Sequence, residues 1–175
     1  MNLPNILSFS RILLLIPIIF LFEFELYLFS AGTFIIASLT DYLDGYFARR
    51  NNTSTEYGAL LDLLADKIFI STLLIWITFN IDNVFILISS ILIILREISI
   101  SHLRLFVFSQ KEEISDLKSD FSGKLKTTFQ MIGLGFILIT PITPNFIFDL
   151  SIALISFSAI ISWYSFIKYL NKWIV

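Results

Sequence analysis

Apolar residues fall in six long blocks, at about 6–24, 28–49, 58–79, 84–108, 125–142 and 146–170. Each is close to the roughly 20 residues that a helix needs to cross the hydrocarbon core of a bilayer. The polar breaks between blocks are short and leave no room for a second folded domain. The pattern predicts an all-α polytopic membrane protein, a six-transmembrane-helix bundle forming a single membrane domain over residues 1–175. The longest break, 109–123, holds Lys111, Glu112, Glu113, Asp116, Lys118 and Asp120 and reads as a solvated loop or an interfacial helix. Pro17 lies inside the first block, where it can bend the helix, and Pro141 and Pro144 bracket the turn into the sixth.

Composition sharpens this picture. The chain is 57% hydrophobic and 15% charged, with a mean hydropathy of +0.85, far from the average of soluble domains. No cysteine is present, so disulfides and thiolate metal sites are excluded, and any metal must be held by oxygen or by the one histidine. That histidine, His102, reads as a packing or surface residue of a helix end and receives no role. The first block has no basic segment before it, carries Arg11 inside it and lacks a small-residue cleavage site, so it is expected to remain as helix 1. The nineteen Phe residues read as lipid-facing and packing mass, while Trp76 and Trp173 fit interfacial anchors.

The placement of charge says more than the net value of -2. With the N-terminus in the cytoplasm, the outer connections carry Glu23, Glu25, Asp82 and Asp149 and no Lys or Arg. The opposite face collects Arg49, Arg50, Lys111, Lys118, Lys124, Lys126, Lys168 and Lys172, as the positive-inside rule expects. Both termini are therefore expected on the cytoplasmic side, and no nucleic-acid partner is expected.

Against this apolar background stand four acids. The second block ends in Asp41-Tyr-Leu-Asp44-Gly45-Tyr-Phe-Ala48-Arg49, and the third opens with Gly58-Ala-Leu-Leu-Asp62-Leu-Leu-Ala-Asp66-Lys67. Spacings of three and four put each pair on one helix face. With a rise of about 1.5 Å per residue, Asp41 and Asp66 lie roughly 12 Å from the cytoplasmic ends of their helices, and Asp44 and Asp62 roughly 6 to 8 Å. An antiparallel helix pair brings the four to two matching depths. Each intramembrane Asp costs about 2.5 to 3.5 kcal/mol on the lenient insertion scale, so cations must offset them. Lys67 and Arg49 are too few. One or two divalent cations would suffice, and Mg²⁺ or Mn²⁺ prefers carboxylate oxygen and can hold phosphate oxygens as well. Two such metals suit an in-line displacement at phosphorus. Gly45, Ala48 and Gly58, near the acidic faces, would let a nucleotide approach the helix backbones, or would serve close helix packing alone.

The pattern Asp41-x2-Asp44-Gly45-x2-Ala48-Arg49-x8-Gly58-x3-Asp62-x3-Asp66 resembles the CDP-alcohol phosphatidyltransferase signature at every fixed position. The opening Asn2-Leu-Pro4-Asn5-Ile-Leu-Ser8-Phe-Ser-Arg11, the run Arg96-Glu97-Ile-Ser-Ile-Ser-His-Leu-Arg104 and the run Gly123-Lys124-Leu-Lys126-Thr127-Thr128-Phe-Gln130-Met131 are similar to the bacterial phosphatidylglycerophosphate synthases of that family. Leu63 departs from an expected proline and Ser8 from the usual threonine.

The resemblance implies transfer of a phosphatidyl group from CDP-diacylglycerol to sn-glycerol 3-phosphate, with release of CMP, at the cytoplasmic face of a bacterial inner membrane. It implies that Asp41, Asp44, Asp62 and Asp66 hold two Mg²⁺ or Mn²⁺ ions, with Asp66 also the general base. Asp41, Asp44, Gly45, Ala48, Arg49, Gly58 and Asp62 would line the CDP pocket, and a homodimer is expected.

The second phosphate needs its own cations. Arg96 and Arg104 on helix 4, Lys124 and Lys126 opening helix 5, and Arg11 on helix 1 are the candidates for acceptor or lipid phosphate. Each has a plainer reading: anchoring at the positive face for the lysines, snorkelling for Arg11, and pairing with the aspartates for Arg96. Glu97 is adjacent to Arg96 and is expected to point elsewhere on the helix. Other acceptors, inositol phosphate, serine or a lipid, are alternatives within the family. A cation transporter is the remote one, disfavoured by the absence of repeats and by acids confined to one face.

Overall fold

A computed structural model describes residues 3–50, 56–109 and 121–174. Among them are six α-helices and no strand: α1 (Leu3–Glu23), α2 (Tyr27–Arg50), α3 (Glu56–Asn80), α4 (Val84–Ser109), α5 (Phe121–Ile137) and α6 (Asn145–Ile174). A 3-10 turn at Thr140–Ile142 separates the last two. Helix α1 runs unbroken through Pro17. Asn83 caps α4, its Oδ1 accepting the amides of Phe85 at 2.9 Å and Ile86 at 3.2 Å.

The fifth block departs from its expected bounds at both ends. Helix α5 already includes Phe121, Ser122 and Gly123, which the sequence had assigned to the polar break; a first turn tolerates Ser and Gly because its amides need no intrahelical partner. The rest of that break, 110–120, lies outside the described residues. At the other end the α-helix stops at Ile137, because continuing it would drive the Pro141 ring against the Ile137 carbonyl. The Thr140 hydroxyl donates to that carbonyl at 2.8 Å, and the chain tightens into the 3-10 turn.

The helices turn apolar rows outward and bury mixed rows in which serines and arginines stand among apolar residues. On α1, Phe9, Leu13, Ile16 and Phe20 are exposed, while Ser8, Arg11, Leu15 and Ile18 are buried. On α6 the buried row is Ser151, Ile155, Ser158, Ala159 and Ser162, and Phe157, Ile160, Tyr164 and Ile167 face outward. Spacings of three and four make each row one helix face. Exposed apolar rows on this scale suit lipid and not water. Three stretches of the described residues are long and apolar enough to cross a membrane, Leu63–Asn80, Val84–Leu103 and Asn145–Asn171, and Tyr27–Thr40 is a shorter apolar helix.

The chain forms two compact units, Met1–Ile77 with Gly135–Phe148, and Thr78–Leu134 with Asp149–Val175. In the first, α1 and α2 pack as a hairpin, and the Ser30 hydroxyl of α2 donates to the Ile18 carbonyl of α1 at 2.8 Å. Phe34 stacks on Phe69 with ring centres 5.8 Å apart. The Trp76 indole meets Phe22 edge-on and donates to Glu23 at 3.1 Å, as suits an aromatic anchor near a helix end. The α1–α2 turn closes with Leu26 N–H on the Leu21 carbonyl and Glu25 N–H on the Phe22 carbonyl, which places Glu25 at φ 62°.

In the second unit, Ser89 and Ser156 join α4 to α6 at 3.0 Å, and the Trp163 indole donates to the Leu92 carbonyl at 3.0 Å. Helices α5 and α6 approach closely at Gly133, where an added Cβ would lie 2.7 Å from Ile155 Cγ1 and 3.3 Å from the Ser151 carbonyl oxygen. A small residue is needed there, as in membrane helix pairs generally.

Candidate active site

The signature residues divide between two helices of the first unit. Asp41, Asp44, Gly45, Ala48 and Arg49 lie on the C-terminal half of α2, and Gly58, Asp62 and Asp66 on the N-terminal half of α3. The side chains of Asp41, Asp44, Ala48, Arg49 and Asp62, and the surroundings of Gly45 and Gly58, lie outside the described residues; so do the side chains of Arg104 and Lys124.

Asp66 is described, and its partner is Arg11. The Arg11 Nη1 donates to Asp66 Oδ1, joining α1 to α3 across 55 residues of sequence. Arg11 is fully buried, whereas the Asp66 side chain is 41% exposed. A buried guanidinium requires an anion, and Asp66 supplies it while remaining open on its other side. The neighbouring Ala65 and Phe69 are buried, so the packed face of α3 flanks the carboxylate and fixes the direction from which it is approached. Ser8, one turn before Arg11, is buried on the same face. Arg11 is thus placed beside the candidate base.

Arg96 and Lys126 belong to the second unit, and one carboxylate joins them there. Glu97 Oε1 accepts from Arg96 Nη1 at 2.8 Å and from Lys126 Nζ at 2.5 Å. The expectation that Glu97 points away from Arg96 is overturned. Adjacent helical positions diverge by about 100°, but the arginine stem is long enough to wrap its guanidinium around that angle. Two further contacts tie the group to α6: Arg96 Nε donates to the Ser162 carbonyl at 3.3 Å, and the Ser158 hydroxyl donates to the Lys126 backbone carbonyl at 2.9 Å. All three charged side chains are largely buried, at 8%, 19% and 11% exposure for Arg96, Glu97 and Lys126.

Ser158 and Ser162 were not singled out by the sequence, and Glu97 was given no role beyond pointing away from Arg96. The available signal was Glu97 itself, an acid inside an apolar block, which demands a cationic partner as strongly as the arginine beside it. His102, left without a role, is exposed, and its ring nitrogen lies 3.1 Å from the Ile98 carbonyl one turn earlier.

The family model for CDP-alcohol phosphatidyltransferase matches residues 1–168. The chain is 32% identical over 173 residues to a protein of Salmonella choleraesuis (strain SC-B67) named CDP-diacylglycerol–glycerol-3-phosphate 3-phosphatidyltransferase, a match covering 97% of this chain and 93% of the relative. Proteins of the same name from Shigella flexneri and Escherichia coli (strain K12) are 31% identical over the same spans.

Proposed function

The chain belongs to the CDP-alcohol phosphatidyltransferase family, and from that membership we propose that it transfers the phosphatidyl group of CDP-diacylglycerol to sn-glycerol 3-phosphate in phospholipid biosynthesis. The observation that carries this reading is likeness over almost the full length of both chains to relatives bearing that name. In the reaction the primary hydroxyl oxygen of the acceptor forms a bond to the phosphorus that carries the diacylglycerol. The bond from that phosphorus to the bridging oxygen breaks, CMP leaves with the electron pair, and the hydroxyl proton passes to a base.

Asp66 is the base in this scheme. Arg11 engages Oδ1 and orients the carboxylate, while its open side can meet an incoming hydroxyl. Asp41, Asp44 and Asp62, together with Asp66, form an all-carboxylate donor set on α2 and α3 that fits one or two Mg²⁺ or Mn²⁺ ions. Such ions, when bound, supply charge neutralisation at the diphosphate. Gly45, Ala48, Arg49 and Gly58 complete the CDP side of the site. Arg96 and Lys126, with Arg104 and Lys124 on the same two helices, supply the cations for the acceptor phosphate.

The outward apolar rows of the helices support a six-span arrangement in one membrane domain. The distribution of Lys and Arg supports placing both termini and the site on the cytoplasmic side, and likeness to the bacterial relatives supports a bacterial inner membrane and a homodimer. Purified protein in detergent micelles, supplied with CDP-diacylglycerol and labelled glycerol 3-phosphate, is expected to release CMP only when Mg²⁺ or Mn²⁺ is present. Release with serine or inositol phosphate, and none with glycerol 3-phosphate, would refute the choice of acceptor.

A further inference from the structure

Two cations meeting on one carboxylate oxygen inside an apolar helix bundle is an expensive arrangement unless something uses it. Arg96 and Lys126 come from different helices, both are nearly buried, and each is within hydrogen-bond distance of Glu97 Oε1. In a medium of low effective dielectric the two positive charges repel strongly at such a separation. Glu97 offsets that repulsion and fixes both groups by charge-assisted hydrogen bonds.

The surroundings hold the arrangement in place. The Ser162 carbonyl fixes Arg96 Nε, and the Ser158 hydroxyl holds the α5 backbone at Lys126, so α6 buttresses both arms. A helix bundle needing only stability would be served as well by apolar residues in these positions. A rigid, desolvated pair of cations is suited instead to an anion with several oxygens, and foremost to a phosphate.

We infer that Glu97 is a positioning residue that holds Arg96 and Lys126 together as a paired-cation seat for a phosphate group. The inference rests on the proposed phosphate-binding role of those two cations. It adds a role for an acidic residue that does not itself face the anion. With Glu97 neutralised, the two cations separate and the seat is lost, although the local positive charge is larger.

The test measures KM for glycerol 3-phosphate, KM for CDP-diacylglycerol and kcat in micelles for the Glu97→Gln, Lys126→Met and Arg96→Met variants and the Glu97→Gln/Lys126→Met double variant. Glu97→Gln is expected to raise one of the two KM values about tenfold or more, the loss of one charge-assisted contact, with kcat changed far less. A rise confined to glycerol 3-phosphate assigns the seat to the acceptor, and a rise confined to CDP-diacylglycerol assigns it to the donor diphosphate. Because Glu97 acts through Lys126, the double variant is expected to be no worse than Lys126→Met alone, whereas a merely structural residue would add its own loss.

Glu97→Asp retains the charge with a shorter reach. It is expected to recover part of the lost affinity, and it gives the same comparison if the Gln variant does not yield folded protein. An unchanged or lowered KM in Glu97→Gln, with KM raised in Lys126→Met and Arg96→Met, overturns the inference and leaves the cation roles standing. Unchanged KM values in Lys126→Met and Arg96→Met overturn the reading of the two cations on which it rests.

Discussion

Each unit of the molecule buries one arginine against a carboxylate, and the two arrangements have opposite characters. In the first unit Arg11 is wholly enclosed and its partner Asp66 is partly open, so the pair is neutral and presents an acidic face. In the second unit Glu97 lies between Arg96 and Lys126, two cations on one carboxylate oxygen. Under the proposed function the first would receive cations or a proton, and the second an anion. A reaction that joins a metal-bound diphosphate to a phosphorylated alcohol needs both kinds of place. In each, a buried counter-charge fixes the working group in advance.

Removing the carboxylate of the first pair is the most severe way to break this contrast. Asp66→Asn is expected to lower turnover by about 10³-fold, the scale of a lost general base, while binding of a CDP-lipid analogue survives. Near-normal turnover would show that Asp66 is not the base.

Replacing the guanidinium tests whether Arg11 belongs with Asp66 or with the phosphate-binding cations. Arg11→Met is expected to cost about 1 to 3 kcal/mol in thermal unfolding, less than a fully enclosed pair because Asp66 is partly solvated. Its kcat should fall with KM for glycerol 3-phosphate nearly unchanged. A selective rise in that KM would move Arg11 into the second group.

A steric change sharpens the comparison from the other side. Gly133 lies seven residues after Lys126, on the same face of α5, where it packs close against α6. Gly133→Ala must displace Ile155 and is expected to destabilise the protein by about 1 to 2 kcal/mol. Acceptor affinity should weaken while binding of the CDP-lipid analogue persists, because the clash lies within the second unit. Equal loss of both would erase the distinction drawn here.

The smallest effect concerns the α1–α2 hairpin that carries Arg11. Glu25 adopts a left-handed backbone at the end of α1, where glycine is the usual residue. Glu25→Gly is expected to raise stability by about 0.5 to 1 kcal/mol without altering turnover, measured by thermal unfolding and CMP release.

Much of the helical layout was legible from pattern alone. The start of α4 at Val84 was anticipated to the residue. This edge is set locally, by an Asn cap. The fifth block was less legible: Pro141 and Pro144 were expected to bracket the turn into the sixth helix, but the ring of Pro141 already ends α5 four residues earlier. The acids of α2 and α3 stood out because charge inside an apolar block is costly. Which cation each acid meets did not stand out, since nothing in local spacing links Arg11 to Asp66 or Lys126 to Glu97 on α4.

The sequence by itself determined the class of molecule, the apolar helices and the family, because hydrophobic length and a fixed-gap signature are properties of the chain read in order. Only the tertiary structure decided which charge answers which. Asp66 meets an arginine 55 residues away, and Glu97 meets a lysine 29 residues away. Such pairings depend on how each helix is rotated about its axis when its polar row turns inward, away from lipid. That rotation is set by packing across helices, through contacts such as Ser30 on Ile18 and Gly133 against Ile155, which no single segment encodes.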